Sequence, residues 1–305
     1  MEKLSVKQIE KKDRRFRYRR GRVGYLFILP AILWMTLFTY VPLFMAVDRV
    51  FRDYNTREFV GWEHFDYVLK TPTFVDSFKN VLLFTAIITV SMVIFSFLFA
   101  SLIKKVTNAK LAGAIKAVIY LPNLLSGVIV TIIFNMLINE GYGLFAALRI
   151  ANGQWPIKFT TEGIWPYISI IVPTLWVGLG YNTLVMLAGI LNIPKEYYEA
   201  AKIDGANTWV MLWKITIPNM RNSFILIITA QITGNLQMLE IPMWITGGGP
   251  LNKTMTPTLY LFNSFRDSGR SPNVAIAGAL IIMVLIACLN LVSFSLLHSK
   301  KSEDM

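Results

Sequence analysis

The sequence predicts an all-α polytopic membrane protein: six transmembrane helices with both termini on the cytoplasmic side. Three observations carry this. Of its 305 residues 54% belong to the hydrophobic set and only 16% are charged, where soluble domains carry about 25% charge. The apolar residues fall in long uncharged blocks. Lysine and arginine are unevenly divided between the segments that separate those blocks.

The elements follow in chain order. Residues 1–22 form a basic arm that holds ten of the 30 basic residues. Such an arm directly before an apolar run is the usual flank of a first membrane helix, held at the anionic inner leaflet. The run has no small-x-small cleavage site and is too long for a signal core, so it reads as a retained helix. Val23–Val47 is free of charge and interrupted only by Pro30 and Pro42. Val81–Ile103, Ala117–Asn139 and Gly163–Pro194 follow, the last read as a helix over 163–190. A fifth run, 222–245, contains one acid, Glu240, and the sixth, 273–299, is again uncharged. Each is long enough to cross about 30 Å of hydrocarbon at 1.5 Å per residue. None shows the strict alternation of barrel strands. The six helices make one transmembrane domain over 23–299, with 191–221 as its largest cytoplasmic loop and 300–305 as a tail.

With both termini inside, the inner segments hold 20 Lys and Arg and the outer segments 48–80, 140–162 and 246–272 hold ten. The stretch 104–116 contributes Lys104, Lys105, Lys110 and Lys116 with no acid. The net charge of +12 is thus a membrane-topology signal, and nucleic-acid binding is not expected. One cysteine, Cys288, and two distant histidines, His64 and His298, supply neither a disulfide framework nor a metal site. The dipeptide Gly-Lys never occurs, so the chain has no phosphate-binding loop of the G-x-x-x-x-G-K type.

Between the fourth and fifth runs lies a helix–turn–helix pattern. Pro194 is placed to open a first short helix, Glu196 and Glu199 sit towards its positive end, and Gly205 supplies a left-handed stop after Asp204. A second helix spans about 208–216 and ends at Pro218. Ala200 and Ala201 leave room for close approach, and Trp209, Met211, Leu212 and Trp213 offer an apolar surface to a partner.

These residues carry a family resemblance. Permease subunits of binding-protein-dependent ABC importers have Glu-Ala-Ala, three residues, Gly, nine residues, then Ile-x-Leu-Pro. Here Glu199-Ala200-Ala201, Gly205 and Ile215-Thr216-Ile217-Pro218 stand at that spacing, with Ile217 in place of Leu. Phe59-Val60-Gly61-Trp62-Glu63-His64-Phe65, Leu121-Pro122 and Thr246-Gly247-Gly248-Gly249-Pro250 are similar to segments of carbohydrate-uptake permeases, among them the larger membrane subunit of the maltose transporter. The resemblance implies the permease core fold of the bacterial cytoplasmic (inner) membrane. It also implies a pore shared with a second homologous permease subunit, two cytoplasmic ATPase subunits docked on the inner loops, and an extracytoplasmic sugar-binding protein. ATP and Mg would be used by those ATPase subunits, this chain holding no cofactor of its own and being no enzyme.

A sugar path needs hydrogen-bonding groups and aromatic faces at lipid depth. The fifth run is the richest: Gln231, Gly234, Asn235 and Met238 share one helical face, and Thr233, Leu236, Gln237 and Glu240 another. The residues alone leave both faces open. The resemblance to the maltose permease places sugar contacts on Gln231, Gly234 and Asn235, and on Val177, Gly178 and Tyr181 of the fourth run. Gly178 and Gly180 read equally as close approach to substrate or as packing notches between helices. Glu240 is expected to snorkel to the outer surface or to meet a lysine or arginine.

Other classes fit less well. An ion-driven secondary transporter would show broken helices in repeated halves with midplane charges. A membrane enzyme would need clustered His, Glu, Asp or Ser/Lys at lipid depth. An importer of the same architecture for a polyol phosphate or a peptide differs only in its solute.

Overall fold

The computed structural model describes Tyr25, residues 27–267 and residues 271–297. The basic arm 1–22, His298 and the tail 300–305 lie outside these. Two compact units divide at residue 64. In the first, helix α1 (Phe27–Val50) runs 24 residues. Pro42 cannot donate to a carbonyl one turn back, and Thr36–Tyr40 just before it widens into a π-turn in which Val41 N donates to Thr36 O. After α1 the chain turns through Asp53, whose Oδ1 accepts from the amides of Asn55 and Thr56 at 2.8 Å. These backbone bonds, Thr56 first, hold the Asp53 carboxyl below its ordinary pKa. Phe51 stacks edge-on against Trp62 with centroids 5.2 Å apart, and His64 Nδ1 lies 2.8 Å from Val50 O.

Among the described residues the second unit contains only helices. After α2 (Glu63–Lys70) come α3 (Pro72–Lys104), α4 (Ala109–Tyr120), α5 (Gly127–Ile138), α6 (Leu144–Ala151) and α7 (Trp165–Leu191). The later half has α8 (Lys195–Ile203), α9 (Thr208–Met211), α10 (Arg221–Leu236), α11 (Glu240–Ile245), α12 (Pro257–Arg266) and α13 (Pro272–Leu297). Helix α3 buries one stripe through its whole length: Ser77, Val81, Phe84, Ile88, Met92, Ser96, Ala100 and Ile103, at steps of three and four. That stripe packs on α7. At one end Phe84 and Ile88 meet Ile170 and Met238, and at the other Ala100 and Ile103 meet Met186, Ile190, Met220 and Ile227. Small and polar residues on this seam let the helices approach, as lipid-embedded packing requires.

Among the described residues four helices are long and apolar enough to cross a membrane: α1, α3, α7 and α13. The run expected as one helix over 117–139 is instead a pair bent by 98°. Pro122 lacks an amide proton, a 3₁₀ turn occupies Leu121–Leu124, and Ser126 then caps α5 by accepting from Ile129 N at 3.4 Å. Counted as one crossing, the pair makes five. The run expected over 222–245 is also divided, α10 ending at Leu236 and α11 starting at Glu240. Pro242 supplies the reason: it cannot donate to Met238 O, and Thr256 Oγ1 donates to that carbonyl instead, at 2.8 Å and fully buried.

Gly180 is a packing notch. A Cβ there would run into backbone, Ile119 O and Tyr120 Cα, where α7 crosses the end of α4, whereas a Cβ on Gly113 would meet nothing within 4 Å. Gly180→Ala is therefore expected to destabilise by about 1–3 kcal/mol. Thermal unfolding in detergent should fall by several degrees for Gly180→Ala and stay level or rise for Gly113→Ala, whose helix gains up to about 1 kcal/mol of propensity.

Candidate functional site

The loop between α7 and α10 is a compact helix–turn–helix. Pro194 stands one position before α8, as its N-cap and not as its first helical residue. The C-terminus of α8 closes in a two-bond cap: Ala206 N donates to Ala201 O at 2.8 Å and Gly205 N to Lys202 O at 3.1 Å. Gly205 has φ +76°, a left-handed conformation that side-chain-bearing residues rarely adopt. Asn207 caps α9 by accepting from Val210 N at 2.9 Å.

Leu212–Thr216 then forms a π-turn immediately before Pro218, with Ile217 N donating to Leu212 O. Asn219 Nδ2 covers Ile215 O at 2.7 Å. This repeats the device of α1: the residue before the proline reaches back five positions.

The loop is braced against the bundle. The Tyr198 hydroxyl meets Thr216 Oγ1 at 2.9 Å, joining α8 to the π-turn. Lys104 Nζ, at the end of α3, lies 4.7 Å from the centre of the Tyr198 ring. Tyr198 and Ile215 also pack on the core cluster of Ile193, Met220 and Ile227. Outward, by contrast, Ile203, Trp209 and Trp213 are 87%, 69% and 62% exposed. Glu199 is exposed, Ala200 is exposed and Ala201 half-buried. Nothing in the sequence pattern pointed to Tyr198, Thr216 or Lys104, since a hydroxyl pair and a cation over a ring have no fixed spacing.

The path candidates lie on α7 and α10, which run antiparallel: Met220, at the start of α10, packs with Met186 and Ile190 near the end of α7, while Met238, beyond the end of α10, packs with Ile170. A Cβ on Gly189 would run into Ser223 Oγ. Tyr181 is 49% exposed. Gly234 is exposed and open around its Cα, Gln231 and Val177 are half-buried, and Asn235 is buried with its Nδ2 unpartnered. Gly178 is closed off by Met92, and its carbonyl accepts from Asn182 Nδ2 at 2.7 Å.

The other face of α10 is engaged within the chain. Thr233 Oγ1 lies 2.9 Å from Asn290 Oδ1 on α13, and Gln237 Nε2 donates to Thr233 O at 3.2 Å. Glu240 has no lysine or arginine partner among the described residues. Its carboxylate lies against Gly127 at the first residue of α5, where any Cβ would overlap it. Glu240 is exposed and stands at the positive end of that helix, in place of the cationic partner that was one of the two expectations.

Comparison with known proteins places this architecture. Residues 92–298 match the family described as binding-protein-dependent transport system inner membrane component. The chain is 27% identical over 266 residues to the osmoprotective compounds uptake permease protein GgtC of Synechocystis, covering 85% of this chain and 94% of that protein. It is 28% identical over 287 residues to the lactose transport system permease protein LacF of Rhizobium radiobacter, covering 91% and 95%. Its fold is that of a chain in the bacterial alginate ABC transporter solved with an alginate pentasaccharide-bound periplasmic protein: TM-score 0.79 at 23% identity, over 90% of this chain and 93% of that one. The matched region takes in the seam from Met92 onward, the braced loop and the divided fifth run together. The chain is a multi-pass membrane protein and belongs to the family of binding-protein-dependent transport system inner membrane components.

Proposed function

We propose that this chain is one of two transmembrane permease subunits of an ATP-driven importer for a carbohydrate, working in the bacterial cytoplasmic membrane. The observation that carries the reading is the braced helix–turn–helix over 195–219, with its exposed apolar outer side, in a member of this family. The lactose permease relative and the alginate transporter fold support a carbohydrate as solute. GgtC, a relative named for osmoprotective compounds, favours a second reading in which the solute is a small osmoprotectant. Radiolabelled uptake with each solute class separates the two.

In this reading the membrane is crossed six times. The bent pair α4–α5 is the third crossing, and α10 with α11 is the fifth. Both termini, the arm 1–22, the loop 191–221 and the tail 300–305 face the cytoplasm. A second homologous permease completes the pore, and two ATPase subunits, which use ATP and Mg, dock on Glu199, Ala200, Ala201 and the exposed aromatic residues of the loop. Gly205 ends the docking helix, and Ile215, Ile217 and Pro218 fix the π-turn that leads into α10. The chain itself performs no hydrolysis.

On the family resemblance Val177, Gly178, Tyr181, Gln231, Gly234 and Asn235 belong to the path; Tyr181 and Gly234 are exposed, Gln231 and Val177 half-buried, and Gly178 and Asn235 enclosed by the chain itself. A buried Asn235 Nδ2 without a partner is costly, by about 1–3 kcal/mol.

Two outcomes are expected in the assembled complex. A Cβ at Gly205 would touch nothing within 4 Å, so Gly205→Val acts through its left-handed φ alone, at a cost above about 1 kcal/mol. It should abolish uptake while the helices remain inserted, with reduced ATPase co-purification or hydrolysis no longer stimulated by the loaded binding protein. Normal docking and normal stimulation would reduce the loop to a connector. Secondly, Gln231→Ala with Asn235→Ala should lower uptake by about tenfold or more with assembly intact. Unchanged uptake in that pair, with a loss in Thr233→Ala, would move the path to the opposite face.

A further inference from the structure

We propose that the turn joining α3 to α4 binds the phosphate headgroup of an anionic phospholipid, held by Lys104, Lys105 and Lys110. The site goes beyond the transport reading and takes from it only the orientation, with this turn on the cytoplasmic side, where the leaflet carries negative charge.

The charge at this corner is unanswered within the chain. No acid lies between Asp76 and Glu140, whereas Lys79, Lys104, Lys105, Lys110 and Lys116 all do. Lys79 is paired with Asp76 at 2.7 Å, as Lys70 is with Asp66. Lys104, Lys105, Lys110 and Lys116 have no carboxylate partner among the described residues, and the first three of them are exposed. Lys104 lies over the Tyr198 ring, a contact that leaves its charge in place. The backbone that presents these lysines is fixed at both ends. Lys105 N donates to Leu102 O at 3.1 Å and Val106 N to Ile103 O at 3.0 Å, which closes α3. Asn108 Oδ1 accepts from Lys110 N at 3.0 Å and from Leu111 N at 3.2 Å, which opens α4. Only residues 105–108 separate the two helices, so the basic positions fall at one corner.

The surroundings select a lipid as the occupant. Helix α3, long and apolar enough to cross the membrane, ends at Lys104. These lysines therefore stand where hydrocarbon gives way to headgroups. Beside them the exposed surface is aliphatic. Leu102 of α3 and Leu111, Ala114 and Val118 of α4 are exposed, while Ile115 and Ile119 pack on the core. Ammonium groups bordered by such a flank match an anionic headgroup with its acyl chains. An acidic protein surface would answer the lysines alone.

The test reads radiolabelled phosphatidylglycerol and phosphatidylcholine retained by the detergent-purified complex. Phosphatidylglycerol should be kept in preference. Lys105→Gln with Lys110→Gln should weaken its retention by about twentyfold, two basic side chains at a headgroup contributing about fivefold each. Lys104 is left in place in that pair because it also braces Tyr198. Lys105→Arg with Lys110→Arg should keep the preference. Lys70→Gln with Lys79→Gln, which removes the same charge elsewhere, should leave it unchanged. Inorganic phosphate should not displace the lipid, since it has no chains to meet the aliphatic flank. Equal retention of the two lipids by the unaltered complex would overturn the inference. An equal loss in the Lys70 and Lys79 pair would reduce the effect to net charge, and displacement by inorganic phosphate would make this a free-anion site; either overturns it. Unchanged retention in the Lys105 and Lys110 pair would overturn it too, and accompanying loss of the ATPase subunits would assign the turn to a protein partner. Lipid retention is read without transport, so failure of the importer reading would leave the result standing.

Discussion

At lipid depth every backbone amide and carbonyl must find its partner within protein, because hydrocarbon offers none. The shape of this chain follows from how it meets that demand where its helices are interrupted. At Pro42 and Pro218 the helix widens by one residue, and the amide before the proline reaches back five positions. At Pro242 the freed Met238 carbonyl is covered by Thr256 from a loop that follows α11. At the 98° bend, Ser126 restarts the helix with its hydroxyl. Three of these repairs are made within the interrupted segment itself, and the one at Pro242 ties the break to the segment that opens α12.

The joints are not spread evenly. The π-turn at Leu212–Thr216 leads from the helix–turn–helix into α10, and Tyr198 ties its Thr216 back to α8. At its other end α10 stops at the break over 237–239. Beyond it Glu240 abuts the start of α5, and Asn135 Nδ2 of α5 donates to Trp244 O of α11 at 3.2 Å. Helix α10 is thus a short rod with a joint at each end. Displacement of the loop would reach the opposite end of α10 through it, which is the kind of two-ended element that coupling between distant sites needs.

How much of this was legible in the sequence depended on whether a signal is local. Uncharged length marks α1, α3, α7 and α13, and the left-handed turn at Gly205 follows from a glycine after a helix with charged ends. The division of the third and fifth runs was not legible. No charge interrupts Leu124–Gly127, and Pro122 and Ser126 are both tolerated inside membrane helices. The break at 237–239 lies upstream of the proline responsible for it, because a proline orphans the carbonyl four residues earlier. Among the path candidates, the pairing of α7 with α10 depends on the contact of Gly189 with Ser223, which no spacing within one helix encodes. The surroundings of Glu240 were missed for the same reason: its neighbour Gly127 is more than a hundred positions away.

The central claim is that the helix–turn–helix faces the cytoplasm and meets the ATPase there. Ile203, 87% exposed at the end of α8, reports on both halves of that claim when changed to cysteine in a background with Cys288→Ser. With an impermeant thiol reagent, the account predicts labelling in inverted membrane vesicles stripped of ATPase subunits, protection when those subunits are restored, and no labelling in right-side-out vesicles. Labelling from the outer side, or labelling in inverted vesicles that the ATPase subunits leave unchanged, would contradict it.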